Sequence, residues 1–169
     1  MTAERRVASV AVGQVGLRIR AVDAAGRLDL PMEPNTWTAS GDERELLWLG
    51  PDEWLLVGPE GSTPAMMAEL EAALDAVHRS IVDVSASRTA FDVRGEARHE
   101  LLSQGCGLDL HPRSWRAGMC AQSLFARVPV ILQERGDRTR IFVRPSFAGY
   151  LASCLAAAVS SEGVNVAGG

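Results

Sequence analysis

The sequence predicts an α+β fold made of two ferredoxin-like βαββαβ repeats. Three observations predict it. Strand-like alternation and helical spacing take turns along the chain. The elements of the first half follow the order β-α-β-β-α-β. Stretches of the second half then repeat the first. Leu28-Asp29-Leu30-Pro31 matches Leu108-Asp109-Leu110-His111-Pro112, Leu55-Leu56-Val57-Gly58-Pro59 matches Ile141-Phe142-Val143-Arg144-Pro145, and Val82-Asp83-Val84 matches Val164-Asn165-Val166. The repeats are placed at residues 15–85 and 86–169, in one compact unit, after an N-terminal arm at 1–14.

In the first repeat, Val15–Asp23 alternates, with Leu17, Ile19 and Ala21 on one side and Arg18 and Arg20 on the other, as a half-buried strand does. Ala24–Leu30 reads as a weak helix or turn. Met32–Asp42, with Pro34, Asn35 and Gly41, reads as an extended loop. Glu45–Leu49 and Trp54–Gly58 are apolar runs joined by Gly50-Pro51-Asp52-Glu53, a hairpin turn with proline at its second position. Thr63 and Pro64 suit the N-cap and first position of a helix. Its apolar side is Met66, Leu70, Ala73, Leu74 and Val77. Ile81–Val84 closes the repeat as a strand.

The second repeat opens with a strand at Thr89–Arg94. Gly95 starts a helix over Glu96–Gln104, and Gly105 ends it in the left-handed conformation glycine tolerates. Leu108–Arg116 is a loop. Met119–Leu132 is a long strand region in which Pro129 marks a bulge or an edge. Gly136-Asp137 is a turn and Arg140–Arg144 a strand. Ser146 caps a helix with the apolar face Phe147, Leu151, Cys154, Leu155 and Val159. By analogy with residues 82–84, a short last strand is expected near Gly163–Val166.

The chain has 169 residues, enough to bury roughly 70% of the unfolded surface without a disulfide or metal. A hydrophobic content of 47% is that of an ordinary globular protein. A net charge of −4 argues against nucleic acid as a partner. All 17 basic residues are arginine, so lysine Schiff bases, a P-loop lysine and a lysine general base are excluded. Cys106, Cys120 and Cys154 form no C-x-x-C pair and fit a reducing compartment. No run approaches the roughly 18 apolar residues of a membrane span, and no signal-peptide core is present. A cytoplasmic protein without a membrane partner is expected.

Most of the reactive side chains lie in Val82–Val130, which holds Cys106, Cys120, His99 and His111. Their spacing matches no zinc pattern. A Cys120 nucleophile would need a histidine brought to it by folding. Asp83, Ser85 and Arg88 form a second constellation, which reads as structural. No G-x-G-x-x-G, Walker A, H-E-x-x-H or G-x-S-x-G motif occurs. Arg88, Arg94, Arg98, Arg113, Arg116 and Arg127 crowd the same stretch. They make either a patch for an acidic partner or a solvated face. Trp48 and Trp54 are either core packing or partner-facing anchors.

Five linked segments carry a family resemblance: LGPDEWLLV (Leu49–Val57), VDVSASRTAFDVRG (Val82–Gly95), GCGLDLHPRSW (Gly105–Trp115), GMCAQS (Gly118–Ser123) and RPSFAGYL (Arg144–Leu151). Together they resemble the gamma subunit of heterotetrameric sarcosine oxidase. The resemblance implies a fold similar to the N-terminal region of the folate-dependent aminomethyltransferases. It implies a non-catalytic accessory chain docked on the alpha subunit, with beta and delta subunits in the same complex. FAD, FMN, NAD, zinc and tetrahydrofolate would belong to those partners, and this chain would hold no cofactor, metal or catalytic residue. The complex would demethylate sarcosine oxidatively to glycine. Trp37, Trp54, Trp115 and Phe147 are candidates for its interface. Folate-binding proteins of iron–sulfur assembly share the fold and carry a Lys-Gly-Cys-Tyr motif. Gly118-Met119-Cys120-Ala121-Gln122 is faintly similar to it but lacks the lysine, the tyrosine and the second glycine, so no role is carried over to Cys120. A stand-alone folate-binding module and a thiol sensor using Cys120 are the alternatives.

Overall fold

A computed structural model describes residues 7–41 and 43–162. In chain order they form β1 (Val7–Val10), β2 (Val12–Ile19), α1 (Ala21–Ala24), β3 (Trp37–Ala39), β4 (Glu45–Gly50), β5 (Glu53–Pro59), α2 (Thr63–Ala73), β6 (Arg79–Asp83), β7 (Thr89–Arg94), α3 (Arg98–Ser103), β8 (Cys120–Phe125), β9 (Val128–Glu134), β10 (Arg138–Val143) and α4 (Pro145–Glu162). Two compact units result. Residues 11–88 with 118–121 make the first; residues 7–10, 89–117 and 122 onward make the second.

The first unit carries an antiparallel sheet in the order β3-β4-β5-β2-β6. Strands β2, β4, β5 and β6, with α1 and α2 between them, follow the βαββαβ order. The first of them, β2, lies between β5 and β6, as the split arrangement requires. The β4–β5 hairpin forms where its sequence predicts, with a bulge between Trp48 and Gly50. Its apolar alternation faces a core of Val15, Leu17, Ile19, Leu46, Trp54 and Leu56, covered by Met66, Leu70 and Leu74 of the α2 segment. Each such side chain contributes about 1.5–3 kcal/mol on burial. Within the stretch expected as loop, Trp37–Ala39 instead pairs with β4 as an edge strand. The cap of α2 is Ser62 rather than Thr63. Thr63 already lies in the helix, where its hydroxyl meets that of Ser85 at 3.0 Å.

The second unit carries the sheet β1-β7-β10-β9-β8. Here β7, β9, β10, α3 and α4 repeat β2, β4, β5 and their helices, which explains why Leu55–Val57 and Ile141–Val143 match in sequence. The slot that β6 fills beside β2 is filled beside β7 by β1, from the N-terminal end. Residues 7–10, expected within an arm, are therefore a sheet strand, and β2 begins at Val12 inside the same expected arm. The strand expected near Gly163–Val166 lies outside the described residues.

Three further expectations give way in this unit. The long strand region is a hairpin: β8 and β9 are joined by Ala126 and Arg127, both at positive φ (47° and 70°), as in a type I′ turn. Gly105 does not adopt the left-handed conformation; a Cβ there would stand 2.8 Å from the ring of Phe125, so the glycine serves close packing. Ser146 lies inside α4, whose buried stripe is Leu151, Leu155 and Ala158 rather than one including Phe147 and Cys154.

Candidate interaction surface

The cysteines do not converge with the histidines, though His99 and His111 line one groove. Cys120 is fully buried in the first unit, where the backbone N–H groups of Trp37 and Cys120 bond to the carbonyls of Gly118 and Asn35. Its thiol donates to the carbonyl of Thr36 at 3.2 Å, with that of Trp48 at 3.4 Å as the alternative acceptor. Burial pushes the Cys120 thiol up to about 12, so it stays protonated and unreactive. Cys106 is buried in the second unit, 3.6 Å from the Ser123 hydroxyl.

His99 bonds through Nε2 to Glu134 at 3.0 Å. His111 accepts from the backbone N–H of Arg113 through Nδ1 and donates its own backbone N–H to Asp109. Both histidines thus shape their local backbone or sheet. Among the described residues, no three His, Cys, Asp or Glu side chains group as metal ligands do.

The Asp83–Ser85–Arg88 constellation is a staple. The Asp83 carboxylate accepts from the Ser85 backbone N–H, and that bond holds it below the usual aspartate range. The Ser85 hydroxyl takes the Gln14 N–H at 2.9 Å and meets Thr63. Gln14 in turn donates to the carbonyl of Arg88 at 3.0 Å. The end of β6 is thereby tied to β2 and to the first turn of α2.

The arginines of the central stretch do not form one free patch. Arg94 pairs with Asp137 and Arg98 with Glu134, and both acids lie around the β9–β10 turn, far along the sequence. Glu134 is almost wholly buried. Burial pushes its carboxyl up, but hydrogen bonds from Arg98, Thr139 and His99 together outweigh burial and hold it below the usual range. Asp92 and Arg140 form a second buried pair, with two hydrogen bonds of 2.7 and 3.0 Å.

Of the four aromatic anchors expected, Trp54 and Trp115 are core residues, 0% and 3% exposed, and offer no surface in this chain. Trp54 also donates from its indole to the Pro31 carbonyl at 2.9 Å. Trp37 is half-buried, and Phe147 is 39% exposed. Two residues missed in the sequence accompany Phe147: Tyr150 (53% exposed) and Leu124 (54%). Phe147 and Tyr150 share a face of α4 at a spacing of three. The Tyr150 hydroxyl donates to the Ala126 carbonyl, which brings this face to the β8–β9 turn next to Leu124. The helical spacing of Phe147 and Tyr150 was the available signal. Leu124 had none, because its exposure follows from a turn without the usual turn residues.

Comparison with known proteins adds four findings. A family model described as "Sarcosine oxidase, gamma subunit family" matches residues 16–162. The chain is 35% identical over 132 residues to the sarcosine oxidase subunit gamma of Corynebacterium sp. strain P-1, and that match covers 78% of this chain but 64% of the relative's length. It is similar to a chain of the heterotetrameric sarcosine oxidase of Corynebacterium sp. U-96, solved in complex with pyrrole 2-carboxylate, with a TM-score of 0.86, 30% identity, and coverage of 98% of this chain and 90% of that one. The fold is also that of the glycine cleavage system aminomethyltransferase T of Bartonella henselae, at a TM-score of 0.65 and 16% identity over 88% of this chain and 44% of that one.

Proposed function

The chain belongs to the sarcosine oxidase gamma subunit family, and from that premise we propose that it is the accessory, assembly subunit of a heterotetrameric sarcosine oxidase. The observation that carries this reading is the near full-length likeness to a chain of such a heterotetramer. The complex converts sarcosine to glycine, reducing oxygen to hydrogen peroxide. The one-carbon unit leaves as formaldehyde or passes to tetrahydrofolate. In this reading the chain docks directly on the alpha subunit, in a complex with beta and delta subunits, in the cytoplasm. FAD, FMN, NAD, zinc and tetrahydrofolate are held by those partners.

Two properties of the chain support a supporting role. The one thiol singled out by sequence is buried and protonated, and the histidines are engaged in local structure. Two hollows among the described residues do not suit the cofactors either. The hollow beside Gly16, Val82 and Val84 measures about 220 Å³, below the roughly 300–1,000 Å³ of small-molecule sites. A larger groove of about 650 Å³ is lined by Glu96, Glu100 and Asp109. Their charge opposes the phosphates of FAD, FMN and NAD and the glutamate tail of a folate. Among the described residues, no helix is long and apolar enough to cross a membrane.

Phe147 and Trp37 are the aromatic contacts assigned to the partner in this reading. The test is co-purification of the tagged full-length chain, co-expressed with the companion subunits and analysed by mass spectrometry. Equimolar alpha, beta and delta subunits are expected. Recovery of this chain alone would refute the reading.

A further inference from the structure

The groove in the second unit lies between α3 and the loop 108–112, with a volume of about 650 Å³. Ala97 on the helix side and Leu108, Leu110 and Pro112 on the loop side give it an apolar strip, within a lining that also includes His99 and His111. The loop wall is built in advance. Leu110 and Trp115 are buried, the backbone N–H groups of Ser114 and Trp115 both donate to the His111 carbonyl, and Asp109 accepts from the His111 N–H. A preformed wall lowers the ordering cost of binding.

The helix wall carries an unbalanced charge. Glu96, in the turn that leads into α3, and Glu100, in the helix itself, both line the groove. Among the described residues, neither carboxylate has a side-chain hydrogen bond or a cationic partner. The arginine between them, Arg98, is turned away to Glu134 and to the carbonyl of Gly136. Asp109 adds a third negative charge from the opposite wall, held below the usual aspartate range by hydrogen bonds from Ser114 and His111. An apolar strip beside carboxylates matches a long cationic side chain, whose methylene stem covers the apolar residues while its head meets the acids.

We propose that this groove receives an arginine- or lysine-bearing segment of a partner subunit, with Glu96 and Glu100 as its counter-charges. The proposal rests on the assembly reading above and names the surface and partner chemistry through which part of that assembly is made. Charge complementarity selects the occupant: a basic segment meets the carboxylates of Glu96, Glu100 and Asp109 with opposite charge, an acidic one with like charge.

The test is capture of co-expressed alpha, beta and delta subunits by the tagged chain. It compares wild type with the charge reversal E96R/E100R, the neutral E96Q/E100Q, and E60R, which reverses an exposed charge in the other unit. All three variants change exposed side chains, and thermal melting checks that each is folded. Captured partner should fall about tenfold or more for the reversal and several-fold for the neutral pair. E60R should capture as wild type does. Wild-type capture should weaken as salt is raised. Undiminished capture by E96R/E100R, or an equal loss with E60R, would overturn the groove proposal and leave the assembly reading standing. A wild-type chain that captures no subunit overturns both.

Discussion

Cys120 and Thr36 are joined by a thiol-to-carbonyl hydrogen bond of 3.2 Å inside the first unit, with no exposed surface on the cysteine. The bond ties the segment that follows Gly118 to the entry of β3. It gives the thiol a structural use and leaves it far from the thiolate state. In the folded protein at about pH 8, iodoacetamide should therefore label the half-exposed Cys154 while Cys120 is labelled only on unfolding. Cys120→Ala should cost about 1 kcal/mol of stability and leave the oxidase activity of the complex unchanged. Rapid labelling of Cys120, or loss of activity in a folded variant, would restore the redox reading.

Glu134 holds α3 against the β9–β10 hairpin through Arg98 and His99, and takes a further hydrogen bond from Thr139 within the sheet. Glu134→Gln should cost about 3 kcal/mol near neutral pH, because it leaves the nearly buried Arg98 without its counter-charge. The folded carboxyl titrates below its unfolded value of about 4.3. Its stabilisation is therefore fully present above that value and is lost as pH falls through the lower, folded one. Urea unfolding should show the gap between wild type and variant constant above the unfolded value and closing as pH falls below it.

Gly105 packs where any side chain would strike the ring of Phe125, itself 2% exposed. Gly105→Ala should destabilise by about 1–3 kcal/mol through overpacking. Gly107→Ala, with nothing within 4 Å of the added carbon, should fall within about 0.5 kcal/mol of wild type. Thermal melts of the two variants, measured side by side, check the contrast.

Removing residues 1–10 should uncover the edge of β7, where Val7↔Val93 and Val10↔Ala90 are paired. Hydrogen exchange at the amides of β7 that face β1 should then accelerate by about tenfold or more, while the amides of β2 and β5 keep wild-type protection. Unchanged protection along β7 would contradict the role assigned to β1.

What the sequence made legible is what local chemistry encodes. The β4–β5 hairpin announces itself through apolar runs around Gly50-Pro51-Asp52-Glu53, and β7 was placed at its true ends. The repeat was visible because β5 and β10 hold the same central position and so need the same apolar residues. Features set by distant contacts were not visible. Four residues at Val7–Val10 carry no pattern, and their strand exists because β7 needs a neighbour. Ala126-Arg127 lacks every usual turn residue, so β8 and β9 read as one strand. Arg94 and Arg98 looked unopposed because their acids arrive from residues 134–137. For the interface, composition alone could not separate Trp54 and Trp115, which are core, from Phe147, which is surface.

The central claim is that the oxidase needs this chain to assemble. Its most direct test is to express the alpha, beta and delta subunits with and without it, and to measure the yield of assembled complex and the hydrogen peroxide it forms from sarcosine. The account predicts that omission lowers both by about tenfold or more, with the yield of complex falling first. An alpha–beta–delta complex of unchanged yield and activity would contradict it.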